Sequence, residues 1–178
     1  MYFNPFVKNI FYILPSVIKK IYYYRNSFIY LLSSSYYIPF FVLFRYHSNY
    51  RYVQLLDMFS VDYYKNSSGY RYGLFYVLQS VTYNSKIFVK LFYNFKSPVI
   101  SMTFVYESAN WLEREVWDMM GLYFQNHPDM RRILTDYGFK GFPLRKDFPL
   151  VGYTHLVYDY SNKRCIYKNL SLTQIQKK

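Results

Sequence analysis

Acidic and histidine side chains cluster in one part of this 178-residue chain and, by type, could perform acid–base chemistry. Glu113, Glu115 and Asp118 lie close together, and His127 follows them. Paired carboxylates can act as general acid and general base. Here each carboxylate has a basic neighbour in the sequence, which predicts a lowered pKa and a charged group. No serine, cysteine or lysine nucleophile has a recognisable base beside it, and no phosphate-binding or dinucleotide-binding glycine motif occurs. These residues therefore argue against catalysis by this chain alone.

Cysteine and histidine usage argues against a metal or cluster centre. The single cysteine, Cys165, can form neither an intramolecular disulfide nor a cysteine-ligated iron–sulfur cluster. His47, His127 and His155 are scattered and lack the spacing of metal ligands. We therefore predict that the chain binds no cofactor of its own.

The segment 110–150 differs from the rest of the chain in composition. It holds both tryptophans, six of the ten acids and three of the six glycines. Its acids are interleaved with Arg114, Arg131, Arg132, Lys140, Arg145 and Lys146. Interleaved opposite charges predict salt bridges within the chain or across an interface, because arginine binds carboxylates and carbonyls in bidentate fashion. Two readings of the arginines stay open: they contact a partner, or they tie the loop to its own helix through Glu113, Glu115 or Asp118.

The whole chain is basic and aromatic, with 22 basic and 10 acidic residues, a net charge of +12 and 25% aromatic residues. A hydrophobic content of 52% excludes a disordered protein. The aromatic content exceeds what one small core can bury, so either some rings face partners or an AT-rich genome has biased the composition. The same composition fits an RNA-binding or ribosomal protein, which is the alternative function. Against that alternative, the longest basic runs are only pairs.

No segment is predicted to span a membrane. The apolar run at 36–44 is far shorter than the roughly 20 residues that a spanning helix needs. The N-terminal sequence has the features of neither a secretory signal nor a transit peptide. For a mitochondrial protein this favours synthesis inside the organelle, and we interpret residues 1–25 as an arm on a partner or a membrane surface.

Periodicity and turn residues predict the elements that position the acid-rich segment. A helix is expected at 36–47, and strands are expected at 27–32, 50–61, 70–81, 86–93 and 99–104. A second helix is expected to begin with Asn110 as its N-cap and Glu113 in a capping box, and to end at Gly121. Arg114 and Asp118 are four residues apart and are predicted to pair on its outer surface.

Beyond Gly121 the sequence predicts mostly loop. A short helix is expected at 128–134, a turn at 136–138, and a hairpin from strands at 153–158 and 164–168. The predicted fold class is α+β: a mostly antiparallel or mixed sheet with helices packed on it, then a long ordered loop and a C-terminal hairpin. The predicted division is an arm at 1–25, an α+β domain at 26–150, and a hairpin and tail at 151–178.

Three strings in the acid-rich segment resemble a known family: EREVWDM, HPDMRRILTDYGF and PLRKDFPL. They resemble the hallmark region of the thirty-kilodalton subunit family of respiratory complex I, of the mitochondrially encoded type. LLDMFSVDYY and SANW carry a weaker resemblance, and residues 1–25 carry none. Phe142 departs from the family pattern, where a histidine is usual. His155 and Lys168 stand where acids are usual, which puts partner salt bridges from the last hairpin in doubt.

The resemblance implies a non-catalytic scaffold subunit in the quinone module of the peripheral arm, on the matrix side of the mitochondrial inner membrane. Its partners would be the subunits that carry the quinone pocket and the terminal cluster, and no nucleic acid is expected. FMN, iron–sulfur clusters, NADH and ubiquinone would belong to the complex as a whole. The residues that match the family motif are candidates for partner-interface or loop-locking roles: Glu113, Arg114, Glu115, Asp118, His127, Arg131, Arg132, Asp136, Arg145, Lys146 and Asp147.

Overall fold

The computed structural model describes residues 10, 13–25, 27–33, 36–64, 69–94 and 98–171. These residues form a five-stranded sheet, two helices, a short parallel strand pair and a C-terminal hairpin, which confirms the predicted α+β class. The elements are β1 (Ile18–Tyr24), β2 (Ser27–Leu32), α1 (Ile38–Tyr46), β3 (Gln54–Asp62), β4 (Tyr72–Ser80), β5 (Ser85–Tyr93), β6 (Val99–Ile100), α2 (Ala109–Met120), β7 (Phe124–Gln125), β8 (Thr154–Asp159) and β9 (Arg164–Asn169).

The sheet is mixed, with the strand order β1-β2-β5-β4-β3. Its neighbours are antiparallel except β2 and β5, which run parallel with Tyr30 opposite Val89. A parallel pair needs a crossover connection, and α1, β3 and β4 supply it. Hairpin periodicity predicts the antiparallel β4–β5 pair, whereas the parallel pair follows only from how the crossover folds back.

The core lies between one face of this sheet and the helices. Alternation in β5 turns Ile87, Val89 and Leu91 inward, as the sequence predicts, and all three are fully buried. Phe41 of α1 packs edge-on against Tyr76 of β4, with ring centroids 4.9 Å apart. Edge-to-face aromatic pairs of this kind stabilise a core beyond the area they bury. Part of the unusual aromatic content is therefore internal.

Part of the predicted N-terminal arm belongs to the sheet. Within the segment 1–25, β1 forms the edge strand and pairs antiparallel with β2. Ile18 is buried and Ile21 is half-buried opposite Tyr30, so this strand adds apolar contacts to the core. It also satisfies the backbone groups of β2 that would otherwise form an open edge. Residues 1–9, 11 and 12 lie outside the described part of the chain.

Two predicted strands are shorter than expected because their ends serve other elements. The strand expected at 50–61 starts only at Gln54, since the Tyr52 N–H donates to the Phe44 carbonyl at 2.8 Å and closes the end of α1. The strand expected at 99–104 stops at Ile100, because the Tyr106 N–H donates back to Met102 at 2.8 Å in a tight turn. β6 pairs instead with β7, a segment that the sequence predicts to be loop.

Candidate functional site

Helix α2 begins two residues before the start that the sequence predicts, where Asn110 is the expected N-cap. Ser108 is the N-cap and makes no side-chain capping hydrogen bond, so the predicted capping box is wrong. The Glu113 carboxylate turns inward, where Oε1 accepts the Met102 N–H at 2.6 Å. A buried backbone N–H needs an acceptor, and Glu113 supplies it to the turn after β6. The acid therefore serves a neighbouring turn and leaves its own helix uncapped.

Glu113 and His127 lie side by side in the interior without forming a full ion pair. Glu113 Oε2 is 4.0 Å from His127 Nε2, and both side chains are inaccessible to solvent. His127 Nδ1 accepts the Asp129 N–H at 3.0 Å while Nε2 lies 3.1 Å from the Asn110 carbonyl, which assigns a neutral ring with its proton on Nε2. Burial raises the pKa of Glu113 to about 7, so the lowered pKa predicted from its basic neighbours is wrong.

Asp118 is buried and does not form the predicted surface pair with Arg114. Its Oδ2 accepts the N–H groups of Ile133, Leu134 and Thr135 at 3.2, 2.7 and 2.9 Å, and its Oδ1 accepts the Thr135 hydroxyl at 2.7 Å. Burial would raise the pKa of Asp118, but these hydrogen bonds hold it below its usual value. The helix predicted at 128–134 does not form, because these N–H groups converge on one carboxylate.

Arg132 holds the far side of the same loop. Its guanidinium donates to the carbonyls of Phe139 and Gly141 at 3.2 and 2.9 Å and lies 3.7 Å from Asp118 Oδ1. The arginine thus bridges α2 and two turns of the following loop. Of the two roles considered for the arginines, Arg132 therefore has the internal one: it ties the loop to its own helix.

Arg131 points away from this network. Its side chain is 78% exposed and pairs with Asp129 at 2.7 Å. Only its backbone carbonyl contacts the helix, where it accepts a hydrogen bond from Arg114 Nε at 3.0 Å. The Arg114 guanidinium also lies 5.0 Å from the Trp111 ring. Adjacent arginines therefore have different surroundings, one internal and one external.

The C-terminus of α2 is closed by Gly121 and Arg145. Gly121 adopts φ +73°, the left-handed conformation of a helix terminator, as its residue type predicts. Arg145 Nε donates to the Met120 carbonyl at 2.6 Å and places a cation at the negative end of the helix dipole. Phe142 lies against the Arg145 guanidinium at 4.2 Å from its ring centroid and edge-on to Trp117. A phenylalanine at this position thus packs between the helix end and the loop.

A second charged cluster ties the loop to the sheet, and sequence reasoning missed most of it. Arg71 donates to both carboxylate oxygens of buried Asp62 at 3.0 and 2.9 Å, and it also reaches Asp147 at 3.0 Å. The Lys146 N–H donates to Asp62 at 3.0 Å across 84 positions of sequence. Burial would raise the pKa of Asp62, but the hydrogen bonds from Arg71 lower it. The one local sequence signal for this cluster is Asp62, an acid directly after the strand predicted at 50–61.

Comparison with known proteins agrees with the motif strings. Residues 31–154 match the family described as respiratory-chain NADH dehydrogenase, 30 Kd subunit. The chain belongs to this family. It is 49% identical over 128 residues to NADH-ubiquinone oxidoreductase subunit 9 of Reclinomonas americana, covering 72% of this chain and 62% of that protein. It is 43% identical over 171 residues to the subunit 9 protein of Prototheca wickerhamii, covering 96% of this chain and 88% of that protein.

The fold also resembles solved structures. A chain of an archaeal respiratory membrane complex, the membrane-bound sulfane sulfur reductase, matches with a TM-score of 0.70. The match covers 83% of this chain and 85% of that chain at 23% identity, so it shows shared fold only. The thirty-kilodalton family resemblance drawn from the three strings is confirmed by the family match.

The remaining motif residues of this thirty-kilodalton family member lie at the surface. Glu115 and Lys146 are exposed. Asp136 accepts the Tyr137 N–H at 2.8 Å and the hydroxyl of Tyr167 on β9, which joins the loop to the hairpin. Contacts that hold the loop are therefore visible for Asp118, Arg132, Asp136, Arg145, Lys146 and Asp147. A partner-interface role stays a prediction for every residue of the motif set.

Within the described part of the chain, His, Cys, Asp and Glu side chains form no group of three or more that could hold a metal ion. No helix there has the length and apolarity needed to cross a membrane. That the chain binds no cofactor stays a prediction.

Proposed function

We propose that this chain is a non-catalytic scaffold subunit of mitochondrial NADH:ubiquinone oxidoreductase, complex I. In this proposal it lies in the quinone module of the peripheral arm, on the matrix side of the inner membrane. It braces the subunits that carry the quinone pocket and the terminal cluster, and so supports electron transfer from NADH to ubiquinone. FMN, iron–sulfur clusters and both substrates belong to the complex as a whole. Family membership and the names of the relatives support this assignment.

The observation that carries the proposal is a loop that is fixed from within and exposes several large apolar side chains. Asp118, Arg132 and Arg145 hold the backbone of the loop after α2 through hydrogen bonds. Its exposed apolar side chains include Leu134 at 56%, Tyr137 at 100%, Leu144 at 59% and Leu150 at 54%. Such a preorganised apolar surface loses little conformational entropy when a partner covers it.

The buried charges support a structural role over a chemical one. Glu113 and Asp118 face backbone N–H groups, and Asp62 faces Arg71 and another N–H. A general acid or base has to reach the proton that it transfers on a substrate. Each of these carboxylates instead joins two parts of the same chain. The nucleic-acid alternative is weakened in the same way, since Arg132 and Arg145 donate to carbonyls of the chain itself.

Blue-native electrophoresis of mitochondrial membranes, with mass spectrometry following this chain, tests the proposal. We expect the chain to comigrate with NADH dehydrogenase activity stained in the gel. Comigration with ribosomal RNA would overturn the proposal and favour the RNA-binding alternative. Purified chain should also contain no stoichiometric iron, flavin or zinc and should not oxidise NADH. A bound metal at one equivalent would contradict the scaffold role.

A further inference from the structure

One face of the five-stranded sheet is not covered by the helices. The rings of α1 contact Tyr30 and Tyr76, which point into the core, so the alternate residues of each strand point to the opposite side. We call that side the outer face. It is defined here by Phe59, Phe75, Phe88, Phe92, Lys20 and Lys86.

The outer face is apolar over several strands. Phe59 is 38% exposed, and the other three phenylalanines are half-buried, Phe92 in part by the loop residues Tyr63 and Tyr70. The strip continues to the sheet edge, because Tyr22 lies opposite Ile29 and Ile29 lies opposite Phe88. A continuous aromatic strip of this extent is unusual on a free protein surface and marks an interaction site.

The ring geometry favours a protein over a nucleic acid. Phe59 and Phe75 stack on each other with centroids 5.0 Å apart and planes inclined by 9°. Tyr70 and Phe92 are stacked as well, with centroids 6.1 Å apart. Single-stranded nucleic acid binds such sheets by placing bases on free ring faces. In these two pairs the rings cover one another's faces, which leaves fewer free faces for bases and favours side chains of a protein.

The charge of the outer face indicates an acidic partner. Lys20 and Lys86 are exposed at its rim. Lys90 lies near its centre, with Nζ 4.5 Å from the Phe92 ring centroid and donating to the Tyr63 hydroxyl at 3.0 Å. Among the described strand residues on this side, Asp57 is the acid that opposes them. A second copy of this chain would bring two positive faces together, which disfavours self-association.

The backbone of the sheet decides which kind of segment fits. Its N–H and C=O groups bond within the plane of the sheet, so they offer nothing to a segment lying across the outer face. A covering segment must satisfy its own backbone groups, and an α-helix does so. The phenylalanines lie on three neighbouring strands, β3, β4 and β5. Neighbouring strands are about 4.8 Å apart, so the three span roughly 10 Å, which is about the diameter of one helix.

We propose that the outer face binds an amphipathic α-helix of a partner subunit. The apolar stripe of that helix lies on the phenylalanines, and aspartates and glutamates beside the stripe pair with Lys20 and Lys86. This inference rests on the proposed function, because it requires the chain to be part of an assembly.

Zero-length crosslinking of the native assembly tests the proposal. A carbodiimide joins lysine amines directly to carboxylates that lie in salt-bridge contact. The assembly that contains this chain is isolated by native electrophoresis, treated with the reagent and analysed by mass spectrometry. We expect Lys20 or Lys86 to be joined to an Asp or Glu of another polypeptide, in a segment whose acids flank an apolar stripe at helical spacing. Crosslinks only within this chain, to a second copy of it, or to a non-helical segment would overturn the proposal.

Amine acetylation supplies the complementary measurement. Lys20 and Lys86 should react several-fold more slowly in the assembly than in the purified chain. Equal reaction in both states would show that the outer face is open and would overturn the proposal. If the chain joins the NADH dehydrogenase band while these lysines stay reactive, only this inference fails. If the chain is absent from that band, the proposed function fails.

Charge reversal separates binding from folding. The double variant Lys20→Glu with Lys86→Glu should lower the amount of chain in the assembly several-fold and leave its unfolding midpoint unchanged, because both side chains are exposed. The matched control is Lys163→Glu, an exposed lysine at the hairpin turn between β8 and β9. Equal assembly of the double variant and the control would overturn the proposal.

Discussion

Asp118 and Thr135 are joined by two hydrogen bonds although 17 positions separate them in sequence. The Thr135 hydroxyl donates to Oδ1 at 2.7 Å, and the Thr135 N–H donates to Oδ2 at 2.9 Å. With the N–H groups of Ile133 and Leu134 on the same carboxylate, helix α2 and the loop behind it become one unit. The shape of this loop therefore depends on a buried side chain of the preceding helix.

Replacing Asp118 should loosen this loop. Asp118→Asn keeps the size of the side chain but removes the charge and leaves fewer acceptor sites for four donors. We expect the free energy of unfolding to fall by about 2–3 kcal/mol, the scale of losing hydrogen bonds to a buried charged group. Hydrogen exchange of the amides at 133–135 should accelerate in the same variant. Chemical denaturation and exchange mass spectrometry measure both effects.

Asp129→Asn is the matched control for that variant. Asp129 pairs with Arg131 at the surface, so its loss should leave the free energy of unfolding nearly unchanged. If the amides at 133–135 exchange as slowly in Asp118→Asn as in the unmodified chain, the Asp118 carboxylate does not hold this loop.

The buried Glu113 carboxyl should give the chain a pH-dependent stability. The folded protein holds this proton up to about pH 7, whereas the unfolded chain releases it near pH 4.5. Between those values the folded state binds more protons, so the free energy of unfolding should fall as pH rises from about 4.5 to about 7. Glu113→Gln should abolish this slope and raise stability at pH 8 by an amount on the order of 2 kcal/mol. Denaturation midpoints across this pH range measure the effect.

Glu115→Gln serves as the control on the same helix, since Glu115 is exposed. It should retain the pH dependence of the unmodified chain. If Glu113→Gln also retains that dependence, another group is responsible and the assignment to Glu113 is wrong.

The end of helix α2 should tolerate no side chain at Gly121. A Cβ there would contact the Arg145 guanidinium and lie 2.7 Å from the Phe142 ring, at a backbone φ of +73°. Gly121→Ala should therefore lower the free energy of unfolding by about 2–4 kcal/mol, through backbone strain and displacement of Arg145. Thermal and chemical unfolding measure this loss.

Gly138→Ala separates strain from steric clash. Gly138 has nearly the same φ, +72°, but no atom lies within 4 Å of the added Cβ. Only the strain remains, at about 1 kcal/mol. Equal losses in the two variants would show that the contact of Gly121 with Arg145 and Phe142 does not matter.

The two adjacent arginines should differ in what they affect. Arg131→Ala removes an exposed ion pair, so we expect a nearly unchanged free energy of unfolding and a reduced amount of chain in the assembled complex. Arg132→Ala leaves the carbonyls of Phe139 and Gly141 without their donor and should cost about 2 kcal/mol in unfolding. Denaturation of the purified chain and native electrophoresis of membranes measure the two quantities separately. If the purified Arg131→Ala chain is unfolded while the complex assembles in normal amount, Arg131 stabilises the chain and is not an interface residue.

Local sequence patterns predict the elements that local physics determines. The helix expected at 36–47 is α1, and the alternation at 86–93 is β5, because each depends on the period of apolar residues along one segment. Gly121 ends α2 as its residue type predicts, since glycine adopts a left-handed conformation without steric cost. The C-terminal hairpin likewise lies within a residue of its expected strands.

The sequence predicts which residues form the candidate site but does not predict which atoms they contact. The acid-rich segment and its three motif strings point to the family and to the loop after α2. Sequence spacing pairs Arg114 with Asp118, yet Asp118 turns inward to three backbone N–H groups. Helical spacing shows which residues share a helix face. It does not show which face the rest of the chain covers.

By itself the sequence determined the family, the α+β class, most element boundaries and the segment where charges concentrate. Only the tertiary structure decided that Glu113 serves Met102, that Lys146 reaches Asp62, and that β2 runs parallel to β5. The physical reason is that a buried polar group needs a partner, and the nearest partner in space is often far away in sequence. Burial then sets whether a carboxylate keeps its charge, as the opposite pKa shifts of Glu113 and Asp118 on one helix illustrate.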